Sequence, residues 1–482
     1  MAVAVVVSMA VDGVAGQGAV AELAGFRAAV RGCFTRRGDA LQELADAVLC
    51  CGGRVTDLAH LSLEPVFRRG HGALFDAVNA GRVEVARLRW AVAAVPLPGW
   101  GDGGIRLAVD VSCWPRPDAV TSAERLWCPA PAGGGAAGQV VAGWPYSVVA
   151  VLGPGSSSWA VLLDAVRLGA GDEACGVTAA QVREVFTRLQ EAGRWREGDP
   201  PVIIFLDAGY NVVRLQWLLA DLPVVLVARV RSNQVWHRPA PPKQYGMPGR
   251  PARHGLVLRC ADRSTQDGAA VQDTDHPRHG RVRVRSWPRL HPKLHRHRGG
   301  WEHWPPGQHL PIVEGTVIQV TAGRRPPMWL WCSDPGASPD LVRSAWQGYL
   351  RRFDIEHVFR FLKQSLGWDK PMLRDPQAAD RWTWLLITCW NQLYLARDLA
   401  AAVRLPWQPP LPPGKLTPGR VRAAFPRLHP SLPALTSPPK PTRPGPGRPK
   451  GSPNKTRAPR HRTGKTSPKT RRRTKTRAKR TG

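Results

Sequence analysis

Along the first hundred positions apolar residues recur every three to four places, the spacing of one helix face. The stretch "AVAELAGFRAAVRGCFTRRGDALQELADAVLC", from Ala19, carries that period. In "VTDLAHLSLEPVFRRGHGALFDAVNAGRV", Thr56 is placed as an N-cap, Pro65 as a break, and Gly70 and Gly72 at a turn. Residues 1–97 therefore read as a helical N-terminal domain. Arg68, Arg69 and His71 near the turn suit a DNA-binding module, and suit equally a small bundle with a basic loop.

Beyond residue 104 the pattern shortens to apolar runs. "IRLAVDVS" predicts a buried strand with Asp110 near its end, and "YSVVAVLG" and "WAVLLDAVRL" predict a hairpin across "GPGSSS". "TAAQVREVFTRLQEAG" predicts an amphipathic helix capped by Thr178. "PVIIFLDAGY" is a strand ending in Asp207, followed by a helix, "NVVRLQWLLADL", and a strand, "PVVLVARVRSN". Antiparallel strands followed by strand–helix–strand predict an α/β sheet of mixed direction.

Residues 232–325 are rich in Pro, Gly, His, Arg and Trp, with strand candidates "HGLVLRC", "RVRVRSW" and "GTVIQVT", and read as a β-rich insertion. "PMWLWCS" returns the chain to the main sheet. Two long helices are expected next, about 339–366, with Ser338 and Pro339 at its start, and about 376–402. The α/β core thus comprises 98–231 and 326–404. Residues 405–482, dominated by prolines and then by bases, are expected to be a disordered basic tail.

Composition narrows the partner. The 482 residues carry 68 Lys+Arg against 36 Asp+Glu, a net +32, which points to a polyanion, nucleic acid first. From Lys440 to Gly482 there are 17 bases and no acid, so removing them from +32 leaves the body at +15. The nine cysteines form no C-x-x-C pair, which argues against a zinc ribbon and for reduced thiols in a cytosolic protein. No run of about 18 apolar residues suggests a membrane span.

Asp110 and Asp207 each follow an apolar run, at the strand ends where α/β sheets build their sites. Glu356 lies in "YLRRFDIEHVFRFLKQSLGW". At about 100° per residue, Tyr349, Arg352, Glu356 and Lys363 fall within a stripe about 60° wide, with Arg360 beside it. Ile355, Phe359, Leu362 and Leu366 gather on another face, which is expected to meet the core. One carboxylate amid bases is also what an exposed helix with i,i+4 ion pairs would show. Three carboxylates brought together would instead hold divalent cations, as two-metal phosphoryl transfer requires.

These residues resemble the DDE transposases of bacterial insertion sequences, in the branch with a Tyr-x2-Arg-x3-Glu-x6-Lys signature. Tyr349, Arg352, Glu356 and Lys363 meet every spacing. Asp207, Gly209 and Tyr210 match the motif at the second aspartate, and Arg229, Arg231 and Asn233 match the basic stretch after the next strand. The resemblance implies a ribonuclease-H-like core with a β-rich insertion. It implies Asp110, Asp207 and Glu356 as catalytic ligands of two Mg²⁺ ions, with Mn²⁺ able to substitute. Tyr349, Arg352 and Lys363 would hold DNA phosphates. The expected activity is binding of terminal inverted repeats, cleavage at the ends and transfer of 3′ ends to target DNA, by a homodimer in the bacterial cytoplasm, associated with the nucleoid. Trp287, Trp301 and Trp304 are candidates for stacking on a flipped base.

Two rival functions stand beside this one: a ribonuclease-H-like nuclease that hydrolyses without joining, and a non-enzymatic nucleoid-type DNA-binding protein. In "HPKLHRHRGGWEH", His291, His295, His297 and His303 sit among arginines, as in a basic DNA-facing loop rather than a metal site. Gly447-Arg448-Pro449 resembles an AT-hook core, with Arg448 the residue that would enter a minor groove, though a nonspecific phosphate-binding tail is the favoured reading.

Overall fold

The computed structural model describes residues 14–129, 139–440 except 156, 244, 246, 247, 325, 404, 410 and 412–414, and residues 458–464. The chain opens with α1 (Val14–Gly32), β1 (Phe34–Arg36), α2 (Gly38–Cys50), α3 (Leu58–Leu61), α4 (His71–Ala80), β2 (Arg82–Val83) and α5 (Val85–Ala93). Asp57, not Thr56, caps α3, because its carboxylate accepts the His60 N–H at 2.9 Å. The bases at the expected DNA-reading turn are engaged within the protein. Arg68 pairs with Glu43 at 3.0 Å and Arg69 with Asp39 at 3.3 Å.

The α/β part follows as β3 (Arg106–Pro115), β4 (Leu126–Pro129), β5 (Val140–Leu152), β6 (Ala160–Arg167), α6 (Ala174–Glu191), β7 (Val202–Leu206), α7 (Val212–Leu218) and β8 (Val224–Val230). Glu173 caps α6 by accepting the Gly176 N–H at 2.7 Å. Thr178, the expected cap, is instead buried in the helix interior. The next strands are β9 (Val235–His237), β10 (Val257–Arg259), β11 (Ala270–His276), β12 (Gly280–Leu290), β13 (Gly315–Ala322) and β14 (Met328–Cys332). Four helices close the chain: α8 (Pro339–Arg351), α9 (Phe353–Gln364), α10 (Pro376–Ala402) and α11 (Pro418–Leu428).

Among the described residues ten strands form one sheet in the order β11-β12-β13-β14-β8-β7-β3-β5-β4, with β6 also paired to β5. Only β3, β7 and β8 run parallel. Their apolar runs are buried on both faces, as a covered parallel sheet demands. The order β6-β5-β3-β7-β8 is that of a ribonuclease-H-like core. The insertion does not stand apart from it: β11, β12 and β13 continue the same sheet through β14.

Helix α10 runs between the sheet and the N-terminal helices, packing against β6, α1, α2 and α4. Asn391 on it accepts the Leu162 N–H of β6 at 3.0 Å and donates to the Leu162 carbonyl at 2.8 Å. Arg27 of α1 reaches Asp46 at 2.7 Å and Gln392 at 2.6 Å in a buried network. The N-terminal helices and the sheet thus share one hydrophobic core.

The stretch beyond residue 405 departs from the expected disorder. Val421, Phe425 and Leu428 recur at helix spacing among the prolines and bury α11 against the rest of the protein. Arg422 anchors it to the carbonyls of Val48, Gly53 and Ser365. Residues 458–464 lie against β4, where Gly464 donates to the Arg125 carbonyl at 2.7 Å. Arg448 and the Gly447–Pro449 motif fall outside the described residues. No helix among the described residues is long and apolar enough to cross a membrane.

Candidate active site

Strand register brings the two aspartates together. Val109 of β3 is level with Leu206 of β7, and the strands are parallel. The next residue on each, Asp110 and Asp207, therefore stands at the same level on neighbouring strands. The third carboxylate arrives from the helices. Gly348 of α8 lies so close to Phe205 that a Cβ there would sit 2.3 Å from the ring. This close approach seats the end of α8 directly over β7.

The single helix expected over 339–366 is two helices. Arg352 lies at the joint, where Arg352 N–H donates to the Tyr349 carbonyl and Ile355 N–H to the Arg352 carbonyl, both i to i−3. These are tighter turns than an α-helix makes. Ser338 caps α8 as expected, accepting the Leu341 N–H at 3.2 Å.

Arg352 is 3% exposed, and its guanidinium gathers all three carboxylates. The distances are 3.0 Å to Asp110, 3.9 Å to Asp207 and 2.7 Å to Glu356. Asp110 is the deepest of them. Its other oxygen accepts the Val111 N–H at 2.8 Å. Burial raises its carboxyl above the usual carboxylate range, Arg352 opposes the shift, and Asp207 and Glu356 add to it.

The remaining signature residues do not share one fate. Tyr349 is buried edge-on against Phe205, and burial pushes its phenol up to about 12. Lys363 is half-buried, donates to the Cys113 carbonyl of β3 at 2.9 Å and lies over the Trp368 ring. Burial lowers its ammonium below the ordinary lysine value. The outward stripe expected from Tyr349 to Lys363 is thus turned toward β3, and of this group only Arg360 is exposed. Ile355, Phe359, Leu362 and Leu366 are buried as expected.

Arg229, Arg231 and Asn233 are exposed. Arg229 and Arg231 line a cleft of about 370 Å³ beside the Asp207 loop, together with Tyr210, Lys293, Arg298 and Trp301. Lys293 and Arg298 come from the basic loop singled out in the sequence. Trp287 and Trp301 are buried, and Trp304 is half-buried with its indole N–H on the His309 carbonyl. Of the four histidines of that loop only His291 is buried, and it clusters with His237 and His254.

Hard carboxylate oxygens from three elements are a fitting donor set for a divalent cation. As they stand, no three acidic, histidine or cysteine side chains among the described residues are spaced to hold one. A guanidinium is at the centre instead. Sequence reasoning missed this role of Arg352, and it missed Gly348, whose only signal is a glycine inside a helix.

The sequence matches the model of one protein family, DDE superfamily endonuclease, over residues 29–293. The match includes both aspartates and ends before Glu356. A search of curated proteins finds no match. Among solved structures, the cryo-EM structure of the piggyBac transposase synaptic complex with hairpin DNA is similar at 9% identity, with a TM-score of 0.41. That similarity covers 80% of this chain and 70% of the other.

Proposed function

The chain belongs to the DDE superfamily endonucleases, and from that premise we propose that it is a transposase of a bacterial insertion sequence, which cleaves DNA at the ends of its element and joins the 3′ ends to a target. The observation that carries this reading is the convergence of Asp110, Asp207 and Glu356, from β3, the end of β7 and α9, on the buried guanidinium of Arg352. Such a convergence suits a family whose chemistry relies on divalent metal ions.

In this proposal the three carboxylates hold two Mg²⁺ ions, for which Mn²⁺ can substitute. Bound there, the ions would activate the attacking oxygen and stabilise the leaving one. The protein's own residues supply position and charge. Gly348 sets the depth of α8, and Lys363 fixes α9 to β3 through the Cys113 carbonyl. Arg229, Arg231, Asn233 and Arg360, all exposed, would meet the phosphates of the double-stranded end. Two ends held together call for a homodimer in the synaptic complex.

The test uses the single variants Asp110→Asn, Asp207→Asn and Glu356→Gln with a duplex carrying the element's end. Each should cut at least a thousandfold more slowly in Mg²⁺ while binding the duplex as wild type does. Near-normal cleavage by any one removes it from the site. Pre-cut ends offered with a target plasmid separate a transposase from a nuclease that only hydrolyses. Binding any duplex equally, with no metal-dependent nicking, would leave a DNA-binding protein without enzymatic activity.

A further inference from the structure

We propose that Arg352 is an exchangeable counter-ion, which keeps Asp110, Asp207 and Glu356 assembled before a divalent cation arrives and must leave them when it binds. The proposal rests on the metal-ligand reading of those three residues. Three carboxylates gathered without a cation would repel one another, and one or more would take up a proton. Here the guanidinium supplies the missing charge from within the chain.

Geometry makes that contact competitive with a metal rather than supportive of it. Arg352 donates to Asp110 Oδ2 at 3.0 Å and to Glu356 Oε1 at 2.7 Å. Asp110 Oδ1 is already taken by the Val111 N–H. Both oxygens of Asp110 and one of Glu356 are therefore engaged by nitrogen donors, while Asp207 lies 3.9 Å from the guanidinium. Magnesium draws its oxygens to about 2.0–2.1 Å. A guanidinium is wider and holds its partners near 3 Å, which accounts for a cluster that converges without being spaced for an ion. The carboxylates can close in only if Arg352 withdraws.

The backbone places Arg352 where withdrawal is feasible. It sits at the joint between α8 and α9, not within a regular helical ladder. Its Nε is buried with no hydrogen-bond partner among the described residues, so the terminal nitrogens alone tie it to the cluster. A guanidinium displaced from carboxylates needs another anion, and a phosphate of bound DNA has the matching fork geometry. Metal and DNA would then load together, each relieving a charge that the other leaves unpaired.

The experiment titrates Mn²⁺ into the full-length, DNA-free protein, followed by electron paramagnetic resonance, for wild type, Arg352→Gln, Arg352→Lys and Glu356→Gln. Glu356→Gln identifies the site as the Mn²⁺ that it loses. Arg352→Gln should bind that Mn²⁺ at least tenfold more tightly than wild type. Arg352→Lys, with a single nitrogen in place of the planar fork whose two nitrogens reach Asp110 and Glu356, should bind it several-fold more tightly. Without metal, Arg352→Gln should melt at lower temperature than wild type, and Mn²⁺ should restore it. Wild-type or weaker Mn²⁺ affinity in Arg352→Gln overturns the proposal. If that variant does not fold, the same result in Arg352→Lys overturns it. If no variant shows Mn²⁺ that Glu356→Gln removes, the metal-ligand reading itself fails, a result distinct from unchanged affinity at a site that exists.

Discussion

Gly348→Ala puts the seating of α8 to a direct test. The added Cβ would lie 2.3 Å from Phe205 Cζ, 2.9 Å from Cε2 and 3.2 Å from Cε1. Carbon atoms settle at about 3.5–4.0 Å, so the helix and the ring must part by about 1.2 Å or more. Phe205 is fully buried in β7 and flanked by Tyr349, which leaves its ring no free direction. Alanine in a helix gains about 1 kcal/mol over glycine. Overpacking a filled core costs about 1–3 kcal/mol, so the net loss of stability should be about 0–2 kcal/mol by urea denaturation. The functional effect should be larger than the stability effect. Phe205 lies two residues before Asp207, and Gly348 four before Arg352, so parting them separates the carboxylates. A misplacement of about 1 Å lowers rates by about 10²-fold. Cleavage of an end duplex in Mg²⁺ should fall accordingly in Gly348→Ala. Phe205→Leu in the same chain should recover both stability and cleavage. Wild-type stability and wild-type cleavage in Gly348→Ala would show that the close approach sets nothing.

Two further expectations concern regions away from the carboxylates. His291 is pushed down to about 4, first by burial and then by His254 and His237, with Arg253 adding to the shift and Glu314 opposing it. The unfolded chain, with a histidine near 6.5, binds the proton that the folded chain refuses. Stability from this site is therefore complete above about pH 6.5 and falls by about 3 kcal/mol as pH drops toward 4. Melting temperatures measured over that window should flatten in His291→Gln, and an unchanged acid limb would contradict the burial argument. Arg229→Ala with Arg231→Ala should weaken end-duplex binding and lower the log–log salt slope by about 2. An unchanged slope would place DNA elsewhere.

Much of the fold was legible because apolar patterning reports local structure well. The strands around Asp110 and Asp207, the hairpin between them and the long α10 follow from runs whose burial is two-sided or one-sided. Capping was read less well. Thr178 has the right side chain, but Glu173 lies where the backbone N–H groups are free, and the helix begins earlier than the apolar period shows. The joint at Arg352 left no mark, since no proline or glycine announces it; packing of α8 on β7 and of α9 on β3 sets it. The order beyond residue 405 was hidden for the opposite reason. Proline content overwhelmed a short apolar period, Val421–Phe425–Leu428, that tertiary contact stabilises.

The stripe that sequence arithmetic placed on one face is real, but its partner is not the one expected. Arg352 meets Asp110 of β3 and Lys363 meets Cys113 of the same strand. From Arg352 to Lys363 the helix advances about 16 Å at 1.5 Å per residue, while the strand between the two contacts advances about 10 Å. Helix α9 is thus pinned to β3 by a cation just before its start and by another in its last turn. One pin holds carboxylates and the other a backbone carbonyl, so both are engaged inside the protein. Periodicity fixes which residues share a face, and only tertiary packing decides what the face meets. A spacing of Tyr, Arg, Glu and Lys can thus encode the internal electrostatics of a carboxylate site as readily as a contact surface. In the proposed function, first contact with a duplex would then fall to the exposed bases Arg229, Arg231 and Arg360, with Arg352 reaching a phosphate only once a cation displaces it.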